Sequence, residues 1–229
     1  MNFSHQNIII YFIMKTKIFF GLVMAAVATV MTSCNCEEKN QQPVNNADAT
    51  INTIMQRKSV RSYTNDTIAA DIMEKMLRAA VAAPSGMDVR PWHIVVMTDK
   101  SQYDTLFAGN FNMEKFKQSA AVVIFCADTT VTRAPRENPN GPAETKPNSI
   151  WRDDMGACTE NFLLAAEAFG LGAVWTACYP FHDRMDPVAK YLNLPGNIVP
   201  YSIVPVGYPA GNEQPKDKWD TTRIHYNRW

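Results

Sequence analysis

Two uninterrupted apolar runs constrain the fold of this chain more than any other feature. His93–Thr98 (HIVVMT) and Ala120–Ala127 (AAVVIFCA) are rich in β-branched residues, a pattern typical of strands buried on both faces. Two further strands are predicted at Ala173–Thr176 and Ile198–Val206. Helical segments separate these runs, so the sequence predicts an α+β domain with helices layered on a central sheet.

The helices are predicted from the spacing of apolar residues. The clearest spans Trp151–Phe169, where apolar side chains repeat at four-three spacing, Asn148 or Ser149 would cap the start, and Gly170 ends the helix. A second is predicted from a cap at Thr67 to a stop at Pro84. Shorter helices are predicted near Ile51–Arg57, Ser101–Phe107, Asn112–Gln118 and Asp183–Leu192.

The first 33 residues have the pattern of a secretory signal. Lys15 and Lys17 precede a small and apolar run, Ile18–Val30, and then Met31-Thr32-Ser33-Cys34. Cysteine directly after Thr-Ser resembles the lipobox of bacterial lipoproteins, which implies acylation of Cys34 and an exported, membrane-anchored protein. An ordinary signal peptide or an N-terminal membrane helix is the alternative.

The segment after the signal differs in composition from the rest of the chain. Residues 34–49 are polar and lack apolar periodicity, so we expect a flexible tether, followed by one domain over residues 50–229. Residues 1–33 hold two lysines and no acidic side chain, which leaves 20 basic and 22 acidic residues in the remainder. This balance offers no basic excess to hold nucleic acid.

The five cysteines form no recognisable framework. Their spacing fits no zinc site, and we expect Cys126 and Cys158, which lie in apolar segments, to be small core residues. Export would permit a disulfide involving Cys36, Cys126, Cys158 or Cys178, but the sequence does not require one.

Four separated segments carry chemistry when taken together. Arg57–Arg61 (RKSVR) could grip a phosphate, although a basic cluster of this length is more often solvated surface. Residues 82–92 combine a helix stop, a turn and polar side chains, as in a loop that faces a ligand. Residues 170–176 have small side chains that would let backbone approach something planar, or simply form a tight helix-to-strand turn. Residues 215–219 (PKDKW) could complete a phosphate clamp.

These segments resemble, in order and spacing, the motifs of the FMN-dependent nitroreductase family. The matching stretches are RKSVR, APSGMDVRPWHIVV, GLGAVWTA and GYPAGNEQPKDKW, and the resemblance covers about residues 51–229. It implies a nitroreductase-like fold with a mainly antiparallel sheet flanked by helices, and FMN in the cleft of a homodimer. It also implies an oxidoreductase that passes electrons from a donor to a small acceptor by ping-pong turnover.

The resemblance assigns flavin contacts residue by residue. Arg57, Lys58, Ser59 and Arg61 match the motif that binds the FMN phosphate and ribityl chain. A motif that reaches the flavin from the partner subunit is matched by Pro84, Ser85, Pro91 and Trp92. In that motif Asp88 replaces the family's Asn, and Arg90 its Gln. We expect the Arg90 cation to favour anionic reduced flavin. Backbone at Trp175, Thr176 and Ala177 would face flavin N5 and O4, and Lys216 and Lys218 would reach the phosphate.

The remaining expectations concern turnover. No side-chain general base and no metal site are predicted, and residues 129–148 are the candidate substrate lid. The predicted acceptors are nitroaromatics, quinones or similar small molecules. NADH and NADPH are cytosolic, so export leaves the donor open. Two alternatives are a non-catalytic FMN-binding or storage lipoprotein and a specialised relative such as a reductive dehalogenase.

Overall fold

A computed structural model describes residues 46–107, 114–132, 140–141 and 149–229. The predicted signal peptide, Cys34 and the tether up to residue 45 lie outside these ranges. The helices are α1 (Asn46–Gln56), α2 (Ala70–Val81), α3 (Tyr103–Leu106), α4 (Glu114–Gln118), α5 (Trp151–Ala168) and α6 (His182–Tyr191). The strands are β1 (Trp92–Met97), β2 (Ala121–Asp128), β3 (Gly172–Ala173), β4 (Thr176–Ala177) and β5 (Ile198–Gly207).

The described strands form one antiparallel sheet, as predicted. Its order is β1-β2-β5-β3, and β4 pairs with β5 further along the same edge. β1 runs antiparallel to β2 from the Trp92–Ala127 pair to the Met97–Val122 pair. β2 in turn pairs with β5, which also holds both short strands.

Helices cover both faces of the sheet, which confirms the layered α+β prediction. Helices α2 and α5 pack on one face around Val123 and Phe125 of β2. Helices α3, α4 and α6 cover the other face, where Val122, Ile124 and Cys126 point. Successive residues of a strand alternate between faces, so a central strand covered on both sides needs the continuous apolar sequence that β2 has.

The apolar run of β1 has a different environment from the one predicted. Within the described residues β1 pairs only with β2, so it is an edge strand. Val95 and Val96 are only half-buried and His93 is exposed. The prediction of burial on both faces was therefore wrong for β1 and right for β2.

Several helix ends differ from the predicted ones. Helix α2 begins at Ala70 with Ala69 at its N-cap position, so Thr67 is not the cap. Helix α5 has Ile150 at its N-cap position, with no side-chain cap bond, so Ser149 is not the cap. Asn148, the alternative, lies outside the described residues. Residues 46–49, expected in the tether, form the first turn of α1.

Other expectations hold. Gly170 ends α5 in the left-handed conformation, with φ of 72°. Cys126, Cys158 and Cys178 are buried free thiols, and burial raises the pKa of each to about 12. They are unreactive core residues.

None of the helices within the described ranges is long and apolar enough to cross a membrane.

A close contact joins the segment after α1 to strand β3. The Val60 amide donates to the Ala173 carbonyl at 3.0 Å, and Ser59 forms a parallel bridge with Ala173. A Cβ atom at Gly172 would lie 2.6 Å from the Val60 side chain. Glycine at position 172 thus permits the approach that fixes the backbone of residues 59–61.

We expect Gly172→Ala to destabilise the protein by about 1–3 kcal/mol, the usual cost of overpacking a well-packed contact. Chemical denaturation measures this. The double variant Gly172→Ala/Val60→Ala should lose less than the sum of the two single changes, because the smaller side chain removes the clash. Gly196→Ala is the control, since a methyl group there meets nothing within 4 Å. Equal stability of Gly172→Ala and Gly196→Ala would contradict the proposed contact.

Candidate functional site

Residues from both ends of the domain line one cationic cavity of about 410 Å³. Its lining consists of Arg57, Lys58, Ser59, Arg61, Glu213, Gln214, Lys216 and Lys218. The first and fourth sequence motifs, more than 150 positions apart, therefore meet as expected of a phosphate clamp. We call this the cationic cavity.

Backbone pairing brings the two motifs together. The Thr64 amide donates to the Tyr208 carbonyl at 2.9 Å, and the Ala210 amide donates to the Ser62 carbonyl at 3.0 Å. These bonds hold the segment after α1 alongside the segment that leaves β5. The cations of both segments then face the same space because their backbones run side by side.

Two of the cations are held by carboxylates of α5. Arg57 Nε lies 3.1 Å from Glu160 Oε1, and Lys58 Nζ lies 3.0 Å from Glu167 Oε1. Both pairs are partly shielded from solvent. The two carboxylates fix the orientation of the Arg57 and Lys58 side chains. Arg61, Lys216 and Lys218 have no carboxylate within ion-pair distance among the residues that the structure describes.

Glu213 places a carboxylate inside the cationic cavity, which the sequence reading did not anticipate. Its Oε1 accepts a long hydrogen bond, 3.4 Å, from the Arg61 amide. Its Oε2 is buried and has no hydrogen-bond partner among the described residues. A buried acceptor of this kind needs a donor, such as a ligand hydroxyl, to offset its desolvation.

The charges of the cavity can be counted. The five cations and Glu213 line it, and Glu160 and Glu167 of α5 pair with two of the cations, while the Asp217 carboxylate lines an adjoining cavity and is not counted. The set therefore has a net charge of +2. A phosphate monoester carries about −1.5 to −2 at neutral pH, so the cavity balances one such group.

The second motif lies apart from the cationic cavity. Asp88, Arg90 and Trp92 line a different cavity of about 510 Å³ together with the end of α2. Met87, Asp88 and Arg90 all have φ near +55°, a conformation that side chains rarely adopt. Strain at neighbouring residues is found preferentially where a loop is shaped for a ligand.

Arg90 forms an ion pair with Asp88, which the sequence did not predict. Its guanidinium binds the Asp88 carboxylate through two hydrogen bonds, one of them Nε to Oδ1 at 2.7 Å. This bonding lowers the pKa of Asp88 below its usual range. The two residues that depart from the family pattern pair with each other in this structure, and the effect of Arg90 on reduced flavin stays a prediction.

Asp154 of α5 anchors the same loop. It is buried, and its Oδ1 accepts a hydrogen bond from the Gly86 amide at 2.7 Å. Pro84 is exposed, and the Ser85 hydroxyl accepts from the Arg90 amide at 3.0 Å. This contact between Asp154 and loop 84–90 was not predicted from the sequence.

The third motif forms the end of α5, β3 and β4. Trp175 is half-buried, and the Ala177 carbonyl accepts a hydrogen bond from Arg184 Nη1 at 2.9 Å. The Thr176 side chain is buried, and its hydroxyl has no hydrogen-bond partner in the described part of the chain. Strands β3 and β4 both pair with β5, and Ala173 of β3 also bridges to Ser59. The third motif therefore lies on the sheet edge that also contacts the first motif.

Other parts of the molecule offer less chemistry. An apolar cavity of about 480 Å³ lies between α2 and β1, lined by side chains such as Met73, Leu77 and Val96. No group of His, Cys, Asp or Glu within the described ranges could hold a metal ion. Most of the predicted lid, residues 133–139 and 142–148, lies outside the described residues.

Comparison with known proteins identifies the fold and the family. Residues 54–208 match the model of the nitroreductase family. A structure from Bacteroides thetaiotaomicron, described as a candidate NADH dehydrogenase/NAD(P)H nitroreductase, is 42% identical, with a TM-score of 0.70 over 79% of this chain and 98% of its own. The NADPH-flavin oxidoreductase of Vibrio harveyi is 31% identical over 79% of this chain and 74% of its own length.

The family match and the named relatives identify an oxidoreductase of the flavoprotein class. The chain belongs to the nitroreductase family.

Proposed function

We propose that this protein binds FMN and uses it to reduce nitroaromatics, quinones or similar small acceptors. The observation that carries the proposal is the cationic cavity, whose net charge of +2 suits the phosphate of FMN. Relatives include the FMN reductase of Bacillus subtilis and the oxygen-insensitive NADPH nitroreductase of Salmonella typhimurium, both more distant in sequence.

The residues present fit an FMN molecule. Arg57, Lys58, Arg61, Lys216 and Lys218 would hold the phosphate, and Glu213 Oε2 offers an acceptor for a ribityl hydroxyl. Backbone at Thr176 and Ala177 would face the ring. Bound FMN supplies the electron transfer, while the protein binds and orients it and excludes water.

The first test is spectroscopic. We expect the purified protein to bind FMN, to lose the oxidised-flavin absorbance on anaerobic reduction, and to regain it when a quinone is added. Protein that takes up no FMN would contradict the proposal. Protein whose bound flavin cannot be cycled would instead be the FMN-binding or storage protein. The same assay with NADH, NADPH or a quinol as reductant identifies the donor.

A matched pair of variants tests the clamp. Arg57→Ala should weaken FMN binding by about 1.5–3 kcal/mol, the usual value for a hydrogen bond to a charged group, and leaves Glu160 unpaired beside the cavity. Arg78→Ala, on the exposed face of α2, removes an arginine that pairs with Glu74 and does not line the cationic cavity. Fluorescence titration should show normal FMN affinity for Arg78→Ala; equal affinity of both variants would place the phosphate elsewhere.

We further propose a homodimer with FMN in the cleft between subunits. Loop 84–90, the predicted contact from the partner, has its own cavity rather than facing the cationic one in this subunit. Large apolar side chains are also exposed: Ile51 at 59% and Met55 at 62% on α1, and Trp219 at 70% in the C-terminal segment. A second copy would cover such surface. Light scattering that gives the monomer mass for the FMN-bound protein would refute this.

Export and lipid anchoring are proposed from the sequence alone. Lys15, Lys17, the apolar run to Val30 and Thr32-Ser33-Cys34 support them. We expect labelled palmitate to be incorporated into the wild-type protein in bacteria and not into Cys34→Ser. Labelling that persists in Cys34→Ser, or protein that stays in the cytosolic fraction, would exclude acylation at this cysteine.

A further inference from the structure

A second cavity, which we call the adjoining cavity, shares three cations with the cationic cavity. Its volume is about 240 Å³. Arg57, Lys216 and Lys218 line both cavities. The remaining lining residues of the adjoining cavity are Ile54, Met55, Asp217 and Trp219. A phosphate group held by the three shared cations would therefore border both spaces.

The walls beyond the shared cations are apolar and aromatic. Helix α1 contributes Ile54 and Met55, which are 47% and 62% exposed, and the C-terminal segment contributes Trp219, which is 70% exposed. Large apolar side chains grouped around a cavity mark a binding surface more often than single exposed ones do. The exposed indole offers a planar face on which another flat ring can stack.

Asp217 adds a hydrogen-bond acceptor beside the indole. Its Oδ1 accepts a hydrogen bond from the Trp219 amide at 2.9 Å, which fixes the backbone that carries the indole. A carboxylate has further lone pairs, so Asp217 can also accept from ligand hydroxyls. Acidic side chains bind ribose hydroxyls in this way in nucleotide sites.

The combination of groups fits a nucleotide. Cations suit a phosphate, the Asp217 carboxylate suits a ribose, and the Trp219 indole suits a base. The cavity equals the space of about eight water molecules at roughly 30 Å³ each, and one purine base fits there because bonded atoms pack more closely than water. An acyl chain would instead leave the Asp217 carboxylate and the cations against apolar surface, which is costly.

We propose that the adjoining cavity is a nucleotide subsite for the adenylate half of FAD, so that the protein accepts FAD as well as FMN. In FAD the adenylate phosphate is joined directly to the flavin phosphate, which matches two cavities that share their cations. The adenylate of a separate NADH or NADPH would compete with the FMN phosphate for the same three side chains. This inference rests on the proposed FMN function.

The charges of the two cavities are compatible with either flavin. Five cations and four carboxylates (Glu160, Glu167, Glu213 and Asp217) give a net charge of +1. Each phosphate of the FAD diphosphate carries a single negative charge, whereas the FMN phosphate monoester carries about −1.5 to −2. FAD therefore needs no more positive charge than FMN, and the choice between the two flavins depends on contacts to the adenosine.

The test compares the binding of FMN and FAD by calorimetry. The full chain, purified in detergent and freed of bound flavin, is titrated with each flavin in the same buffer. We expect the wild-type protein to bind FAD at least as tightly as FMN. Trp219→Ala should raise the Kd for FAD about tenfold, the scale of one base–aromatic stack, and leave the Kd for FMN unchanged.

Two further variants are controls. Trp219→Phe keeps an aromatic face and should retain most of the FAD affinity. Trp229→Ala removes an indole from the same C-terminal segment that is 99% exposed and lines neither cavity. Its Kd for both flavins should equal that of the wild type.

The outcomes separate this inference from the proposed function. Wild-type protein that binds neither flavin overturns both. Wild-type protein that binds FMN, but FAD more than tenfold more weakly, overturns the nucleotide subsite alone.

The variants give further outcomes against the subsite. Equal loss of FMN and FAD affinity in Trp219→Ala, or a weakened dimer in light scattering with unchanged FAD affinity, would assign the indole to the flavin or to a second copy. Unchanged FAD affinity with a raised KM for NADH would assign the adjoining cavity to the donor. Each of these results would overturn the assignment to FAD.

Discussion

The contact between Val60 and strand β3 is the constraint on which the candidate site depends. One amide-to-carbonyl bond, from Val60 to Ala173, attaches the segment after α1 to the sheet edge, and Gly172 leaves room for it. Arg57 and Arg61 lie three residues before and one residue after Val60, so their side chains can reach the cavity only if this backbone is fixed. The same contact links the first motif to the third, because Ala173 lies three residues before Thr176. The small residues at 170–176 suggested a planar ligand from the sequence. In the structure, Gly172 makes room for the Val60 side chain.

Local patterns predicted the helices and most strands, since apolar periodicity reflects which side of an element is buried. They could not show that β1 is an edge strand, because an apolar run does not reveal how many neighbours a strand has. The motif residues Arg57, Ser59 and Lys216 were identified by resemblance, and the structure brings them together. Their carboxylate partners were missed. Glu160 and Glu167 are seven positions apart, two helical turns on one face of α5, and that spacing on a predicted helix was the available signal.

Carboxylates determine which cations of the site can act on a ligand. Arg57 and Lys58 are oriented by α5, and Arg90 is neutralised by Asp88, whereas Arg61, Lys216 and Lys218 have no carboxylate within ion-pair distance in the described structure. A cavity with five bare cations would bind polyanions of many kinds. The three carboxylates lower the net charge of this set to +2, which the proposed FMN phosphate would balance. Replacing the family's Asn and Gln together, by Asp88 and Arg90, likewise leaves the net charge of that loop unchanged.

Strand β5 connects the two ends of the proposed site. Gly207, at its C-terminal end, pairs with Gly172 of β3, and Tyr201 lies six residues earlier as the extra residue of a β-bulge opposite Phe125 and Cys126. At about 3.3 Å per residue the two positions are separated by roughly 20 Å along one hydrogen-bonded strand. An elongated cofactor with a phosphate at one end and a planar ring at the other suits such a separation of charged and aromatic surfaces. Because β5 is central to the sheet and paired on both sides, it holds this spacing rigidly, and the bulge can redirect Tyr201 without moving the cations.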